Sequence, residues 1–267
     1  MDSYFERDGS YLLPTARAAG AWNADRMHGR LIVGLIADDV QRIAHADGMR
    51  CARFTVDLLE PAPMQPVCVR TISVHRTSRS HVLDVVATTD SGGLTRASVV
   101  LLAGAETPPG EVWSAAPWNA PPPDRVEPVS DDQRSTLPWD ARPVHGPDMV
   151  TRDRKAVWLR DPFSLVAGEV APALVRLAMV ADAVNPLANS GTRGLRYINT
   201  DLTLYLRRDP VGEWFGFEVT QHLATDGTAV GHCAVHDTDG PVGVATSVGL
   251  AMRRPVRRAE PSAASSK

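Results

Sequence analysis

The second half of this chain repeats the first, and a repeat this long limits what the chain can build. RFTVDLLEPAP around Asp57, continuing to VRTISVHRTSRSH, is echoed by YINTDLTLYLRRDP around Asp201, continuing to FEVTQHLATDGT. Asp201 follows Asp57 by 144 residues and His222 follows His75 by 147, so a hairpin three residues longer in the second copy reconciles the two offsets. Gly93 and Gly240 keep the second offset, and each precedes a final β-rich run, TRASVVLL or VATSVGLAM. Solenoid repeats run roughly 20 to 50 residues. The longer period here predicts two fused copies of one small domain, each carrying an Asp and then a His in matching strands.

Each copy contains one strongly apolar helix followed by antiparallel strands. In HGRLIVGLIADDVQRIAH, residues Leu31, Ile32, Leu35, Ile36 and Ile43 cover a broad helical face, which predicts a helix surrounded by other structure. Its counterpart runs from about Val170 to Val184 and ends in the turn formers NPLANSG. From Ile198 to Arg207, alternation puts Ile198, Thr200, Leu202, Leu204 and Leu206 on one face of a strand. Asn199, Asp201, Thr203, Tyr205 and Arg207 fall on the other. Asp201 is therefore expected on the polar face of a half-buried strand, a setting in which Asp is disfavoured without a specific reason.

The expected organisation is a first domain over 1–103, a linker over 104–150, a second domain over 151–254 and a disordered tail over 255–267. The linker holds ten of the 21 prolines and three of the six tryptophans, Trp113, Trp118 and Trp139. Proline blocks strand pairing and tryptophan anchors a segment to a surface, so an extended, wrapping path is expected.

Composition excludes several classes of function. A net charge of −3 offers no attraction for nucleic acid, and 43% hydrophobic with 22% charged residues is ordinary globular usage. Cys51, Cys68 and Cys233 are an odd set without metal-ligand spacing, which points to a reducing compartment and no metal. The opening MDSYFERDGSYLLPTARAAG lacks a signal-peptide core, and Glu169, Arg176 and Asp182 interrupt the longest apolar region. A cytoplasmic protein without a membrane span or a cofactor is expected. The sequence has no phosphate-cradling Gly-rich loop, nucleophile elbow or nucleic-acid module.

An apolar helix wrapped by an antiparallel sheet, present twice, resembles the α+β double hot-dog architecture. TARAAGAWNADRMHGRLIVGLIA, NTDLTLYLRRDPVGEW and DTDGPVGVATSVGLAMRR resemble the acyl-CoA thioesterase II family over most of the chain outside linker and tail. The resemblance implies hydrolysis of acyl-CoA or another acyl thioester, with Asp201 as the catalytic Asp. Where the family has a Thr, this chain has His222, with Thr220 and Gln221 close by. Where it has a Gln, this chain has Val248, beside Ser247.

Asp201 suits the general-base role on water, and His222 can share it or protonate the departing thiolate. The oxyanion is expected at the first helix start, His28 and Gly29, with Asp25 as the N-cap. Asn199, Thr200, Thr220, Gln221, Ser247 and His28 are the expected substrate contacts. In fused hot-dogs the strands of one copy are expected to face the helix of the other. A mirror site would then join Asp57 and His75 to a second helix start near Gly168 and Glu169. Arg193, Arg196, Arg207 and Arg208 are candidates for the phosphates of coenzyme A, although arginines at strand ends are commonly just solvated. Gly34 either opens space for an acyl chain or allows close packing.

Two other readings fit the same fold. One is a protein that binds acyl-CoA or a lipid-like molecule without turning it over. The other is an enoyl-thioester hydratase, whose motif Asp182-Ala183-Val184-Asn185-Pro186-Leu187-Ala188 nearly meets but misses by one spacing and by Ala188 in place of a His. Exposed sheet edges make a homo-oligomer the expected assembly.

Overall fold

The computed structural model describes residues 2–20, 23–116, 118–134, 137–146 and 150–252. The expected tail over 255–267 lies outside them. The first copy consists of β1 (Ser3–Asp8), β2 (Tyr11–Pro14), α1 (Gly29–Asp47), β3 (Met49–Leu58), β4 (Val67–Arg76), β5 (Ser80–Thr89) and β6 (Gly92–Ala103). The second consists of β7 (Asp140–His145), β8 (Ala156–Arg160), β9 (Ser164–Val166), α2 (Ala173–Ala181), α3 (Val184–Asn189), β10 (Tyr197–Asn199), β11 (Asp201–Leu206), β12 (Phe215–Thr225), β13 (Thr228–Asp237) and β14 (Gly240–Ala251).

Among the described residues, fourteen strands form one sheet in the order β9-β1-β2-β4-β5-β6-β3-β11-β14-β13-β12-β8-β7, with β10 also on β14. The two copies meet at the centre, where β3 pairs antiparallel with β11. They meet again at one end, where β1 pairs in parallel with β9. β7 lies inside the stretch expected to be linker and forms the last strand of the second copy, where its Ala141 and the preceding Trp139 are buried apolar residues. Trp118 packs at a tilt against Trp158 and His236 and Trp139 is buried, while Trp113 is 87% exposed, so two of the three expected anchors hold the segment.

Helix α1 buries Leu31, Ile32, Leu35 and Ile36 as its periodicity predicts, and ends where Gly48 adopts a left-handed φ of 63°. It lies against its own strands β3 to β6 and along α2, whereas α3 lies against β12, β13 and β14. Helices α1 and α3 therefore cover their own copies' strands, while α2 lies chiefly along α1, which differs from the expected arrangement of each copy's strands against the other's helix. A Cβ added at Gly34 would lie 2.7 Å from Met179 Cγ, so this glycine serves close helix packing. The NPLANSG turn expected after the second helix is instead largely helical. The chain bends at Asp182 and Ala183, then α3 carries Asn185 and Asn189 one turn apart on a buried face.

Candidate active site

The expected strand over Ile198–Arg207 is broken at Thr200. Asn199 opposes Gly249 while Thr203 opposes Thr246, so this side holds one more residue than its partner and the faces swap. As a result Ile198 is 55% exposed while Leu202 is 1% exposed, although simple alternation places them together. The cause is local hydrogen bonding. Thr200 donates from both N–H and Oγ1 to the Val248 carbonyl at 2.9 and 3.2 Å, and the Asp201 carboxylate takes the Val248 N–H at 2.6 Å. A side chain thus replaces a ladder bond, which is the specific reason for an Asp at this position.

Asp201 is half-buried and lies directly opposite Asp57 in the central ladder. The two acids of the repeat therefore form one pair. Burial pushes the Asp201 carboxyl above the ordinary value and the Asp57 charge adds to this, against the lowering effect of the Val248 N–H. Ser247 Oγ donates to the Asp201 carbonyl at 2.9 Å, fixing the backbone of the bulge.

The first helix start reaches this bulge indirectly. His28 is the N-cap of α1 and makes no side-chain capping bond, while Asp25 lies in the strand Asn23–Met27, which corrects the expected cap. His28 Nδ1 lies 3.9 Å from Asp182 Oδ2, and Asn199 Nδ2 donates to Asp182 Oδ1 at 2.8 Å. Burial, with Arg30 nearby, lowers the His28 pKa against the opposing pull of Asp182, so the ring is held neutral. Gly29 faces Leu58, whose N–H donates to the Thr200 carbonyl at 2.9 Å. Leu58 and Asp182 thus link Gly29 and His28 to Thr200 and Asn199, the two residues before Asp201.

His222 belongs to an adjoining polar chain whose direction the acceptors fix. The Tyr197 carbonyl accepts from Asn185 Nδ2 at 3.0 Å, Asn185 Oδ1 from Asn189 Nδ2 at 2.9 Å, and Asn189 Oδ1 from His222 Nδ1 at 2.9 Å. A carbonyl can only accept, so His222 donates from Nδ1, and in the neutral ring this leaves the lone pair on Nε2. These amides fit against the sheet because Gly231 and Gly249 lack side chains: a Cβ at Gly231 would lie 2.6 Å from Ala188 Cβ. His222 opposes Gly231, which opposes Ser247, so His222, Ser247 and the Asp201 backbone lie in one row across the sheet.

Other expected contacts lie apart from this cluster. An irregularity between Val219 and Gln221 sets Thr220 against the His232 ring, and Gln221 opposes His232 on the face away from the helices. His75 opposes Val82 on that same outward face, whereas His222 faces α3, so the two histidines are not equivalent. The second helix starts at Ala173 with Pro172 as cap, and Glu169 is paired with Arg7. The mirror site thus lacks the helix start expected for it. Arg208 is held bidentate by Asp237 and Arg207 donates to the Pro241 carbonyl, whereas Arg193 and Arg196 are exposed.

Asp182, Asn185 and Asn189 were not singled out from sequence as members of this site. The one visible signal, for Asp182 and Asn185, is the near-miss hydratase motif, which Asn189 directly follows, and Ala188, where that motif needs a His, packs against Gly231. Among the described residues no group of His, Cys, Asp or Glu is placed to hold a metal, and no helix is long and apolar enough to cross a membrane.

Apolar helices of two copies packed against one large, mainly antiparallel sheet, with a polar cluster where the copies meet, define a double hot-dog protein. The solved structures agree on this fold. A conserved protein with hot dog fold from Alicyclobacillus acidocaldarius matches with a TM-score of 0.70 at 16% identity, over 94% of this chain and 96% of that one. Acyl-CoA thioesterase II TesB2 from Mycobacterium marinum matches with 0.63 at 16% identity, over 85% and 91%. The tesB protein of Mycobacterium avium subsp. paratuberculosis matches with 0.65 at 14% identity, over 93% and 96%. A search of curated proteins finds no match. The acyl-CoA thioesterase C-terminal domain family matches residues 105–251, and the chain belongs to that family.

Proposed function

We propose that the protein hydrolyses acyl thioesters of the acyl-CoA type, with Asp201 as the general base that activates water. The observation that carries this reading is the Asp201 carboxylate at the bulge. One oxygen is held by the Val248 N–H, the group is half-buried, and its pKa is raised toward the range useful to a base. The second oxygen is then available to a water. His222, with its lone pair on Nε2, is suited to accept a proton or relay one, and the α1 start at Gly29 offers backbone dipoles to the oxyanion. Arg193 and Arg196 are the arginines left to meet the phosphates of coenzyme A.

A second reading is supported by Val248 and His222, which stand where the resembled family has Gln and Thr. A valine side chain cannot hold a water, and a protein that binds acyl-CoA without turnover would look like this. Thiol release from short, medium and long acyl-CoAs by the wild type and by Asp201→Asn distinguishes the two. Hydrolysis predicts release that falls by about a hundredfold in the variant. Binding without release from any acyl-CoA would refute hydrolysis and leave the binding role.

A further inference from the structure

In the first copy, away from Asp201, three side chains stand in line. Ser73 Oγ on β4 lies 2.7 Å from His81 Nε2 on β5, and His81 Nδ1 lies 2.6 Å from Asp47 Oδ2 at the end of α1. The Asp47 carboxylate accepts only, so Nδ1 bears a proton, and in the neutral ring Nε2 then accepts from the Ser73 hydroxyl. The His81 and Asp47 side chains are 5% and 7% exposed, while Ser73 is open to solvent. A buried acid thus orients a buried imidazole toward an accessible hydroxyl. Arg76 donates to the other oxygen of Asp47 at 2.6 Å, which holds that carboxylate in place and sets a cation beside it.

The strand around Ser73 is also shaped for access. An irregularity between Ser73 and His75 places one extra residue immediately after the serine. Among the described residues, β2 pairs with β4 only at Val67 and Cys68, so no strand covers that edge beside Ser73. Free backbone N–H groups along such an edge are the donors available to an oxyanion formed at Ser73.

We propose that Ser73, His81 and Asp47 form a second acyl-transfer site, with Ser73 as nucleophile toward activated carboxylic esters and thioesters. Ser73 Oγ attacks the carbonyl carbon as its proton passes to His81 Nε2, and Asp47 stabilises the imidazolium through Nδ1–H. Collapse of the tetrahedral intermediate breaks the bond to the leaving thiolate or alkoxide, which takes the proton from Nε2 and leaves an acyl-Ser73 ester. Water then attacks that ester with His81 as base, and the acid and free serine result. The chain order Asp, Ser, His is no obstacle, because such triads recur in unrelated orders.

The test is labelling of the full-length protein with a fluorophosphonate probe, followed by intact mass and peptide mapping. A single adduct on Ser73 is expected. It should be absent in Ser73→Ala, slowed about tenfold or more in His81→Gln, and unchanged in Asp201→Asn. The last variant keeps this proposal independent of thioester hydrolysis at Asp201. Absence of an adduct at Ser73 in the folded wild type would overturn it, as would equally fast labelling of His81→Gln with native circular dichroism.

Discussion

At the scale of single residues, Asp201 combines a poor strand propensity with a hydrogen bond from the Val248 N–H to its carboxylate. Its raised pKa has a definite sign in stability. The native state holds this proton longer than the unfolded chain, so stability falls as pH rises from the ordinary carboxylate value through the raised one. Asp201→Asn keeps an oxygen acceptor for the Val248 N–H and removes the charge facing Asp57. Its thermal midpoint is expected to equal or exceed that of the wild type at pH 7 while thiol release falls, and a lowered midpoint would contradict this account. If Asp201 is the base, the rate of thiol release should rise with pH through a midpoint above that of an ordinary carboxylate, and Asp201→Asn should remove that limb. Gly34 gives a second residue-level expectation. With Met179 Cγ 2.7 Å from the missing Cβ and Leu165 at 3.3 Å, Gly34→Ala should cost about 1–3 kcal/mol in urea unfolding. Met179→Ala in the same chain should recover part of that loss. Neither the Asp pairing nor the Gly34 contact was legible in sequence, because both depend on residues more than a hundred positions away.

At the scale of elements, alternation identified β11 but not its start. Leu202, Leu204 and Leu206 are buried as predicted, while Ile198 turns outward because the bulge at Thr200 inserts one residue. The bulge is made by side-chain bonds to Val248, and such bonds leave no periodic trace. The proline-rich segment behaves similarly: its composition announced an extended path, but only packing shows that Trp118 meets Trp158 and His236. Burial lowers the His236 pKa to about 4, against the opposing charge of Asp237. The unfolded imidazole titrates near 6.5, so between these values the unfolded state binds more protons and stability is lost as pH falls. Limited proteolysis of the segment around Trp118 should therefore accelerate between about pH 6.5 and pH 4. Trp118→Ala should be cleaved fast throughout, and pH-independent cleavage of the wild type would contradict the docking role of neutral His236.

At the scale of the whole molecule, the two copies are held together by more than the β3–β11 seam. Arg30, in the first turn of α1, is buried with Asp161 and Tyr4, so a helix of the first copy is paired to the segment after β8 of the second. Removing one partner leaves a buried charge, and Arg30→Ala is expected to cost about 3–5 kcal/mol in denaturant unfolding. Asp161→Leu combined with Arg30→Met should be far less damaging, since neither charge then remains buried. Equal damage in single and double variants would argue that packing, and not charge pairing, sets the cost.

The sequence by itself determined the duplication, the two apolar helices, the inward faces of the main strands and the unusual placement of an Asp at position 201 in a strand, because these follow from periodicity and composition within short windows. Tertiary structure alone decided that Asp57 faces Asp201, that His222 and His75 look to opposite sides of the sheet, and that Asp182, Asn185 and Asn189 enter the polar cluster. It also decided that Ser73 meets His81 and Asp47. The physical reason is the same in each case. A strand's register and its bulges set which side chains meet, and a one-residue shift moves a side chain to the other face without altering the local pattern that a sequence displays.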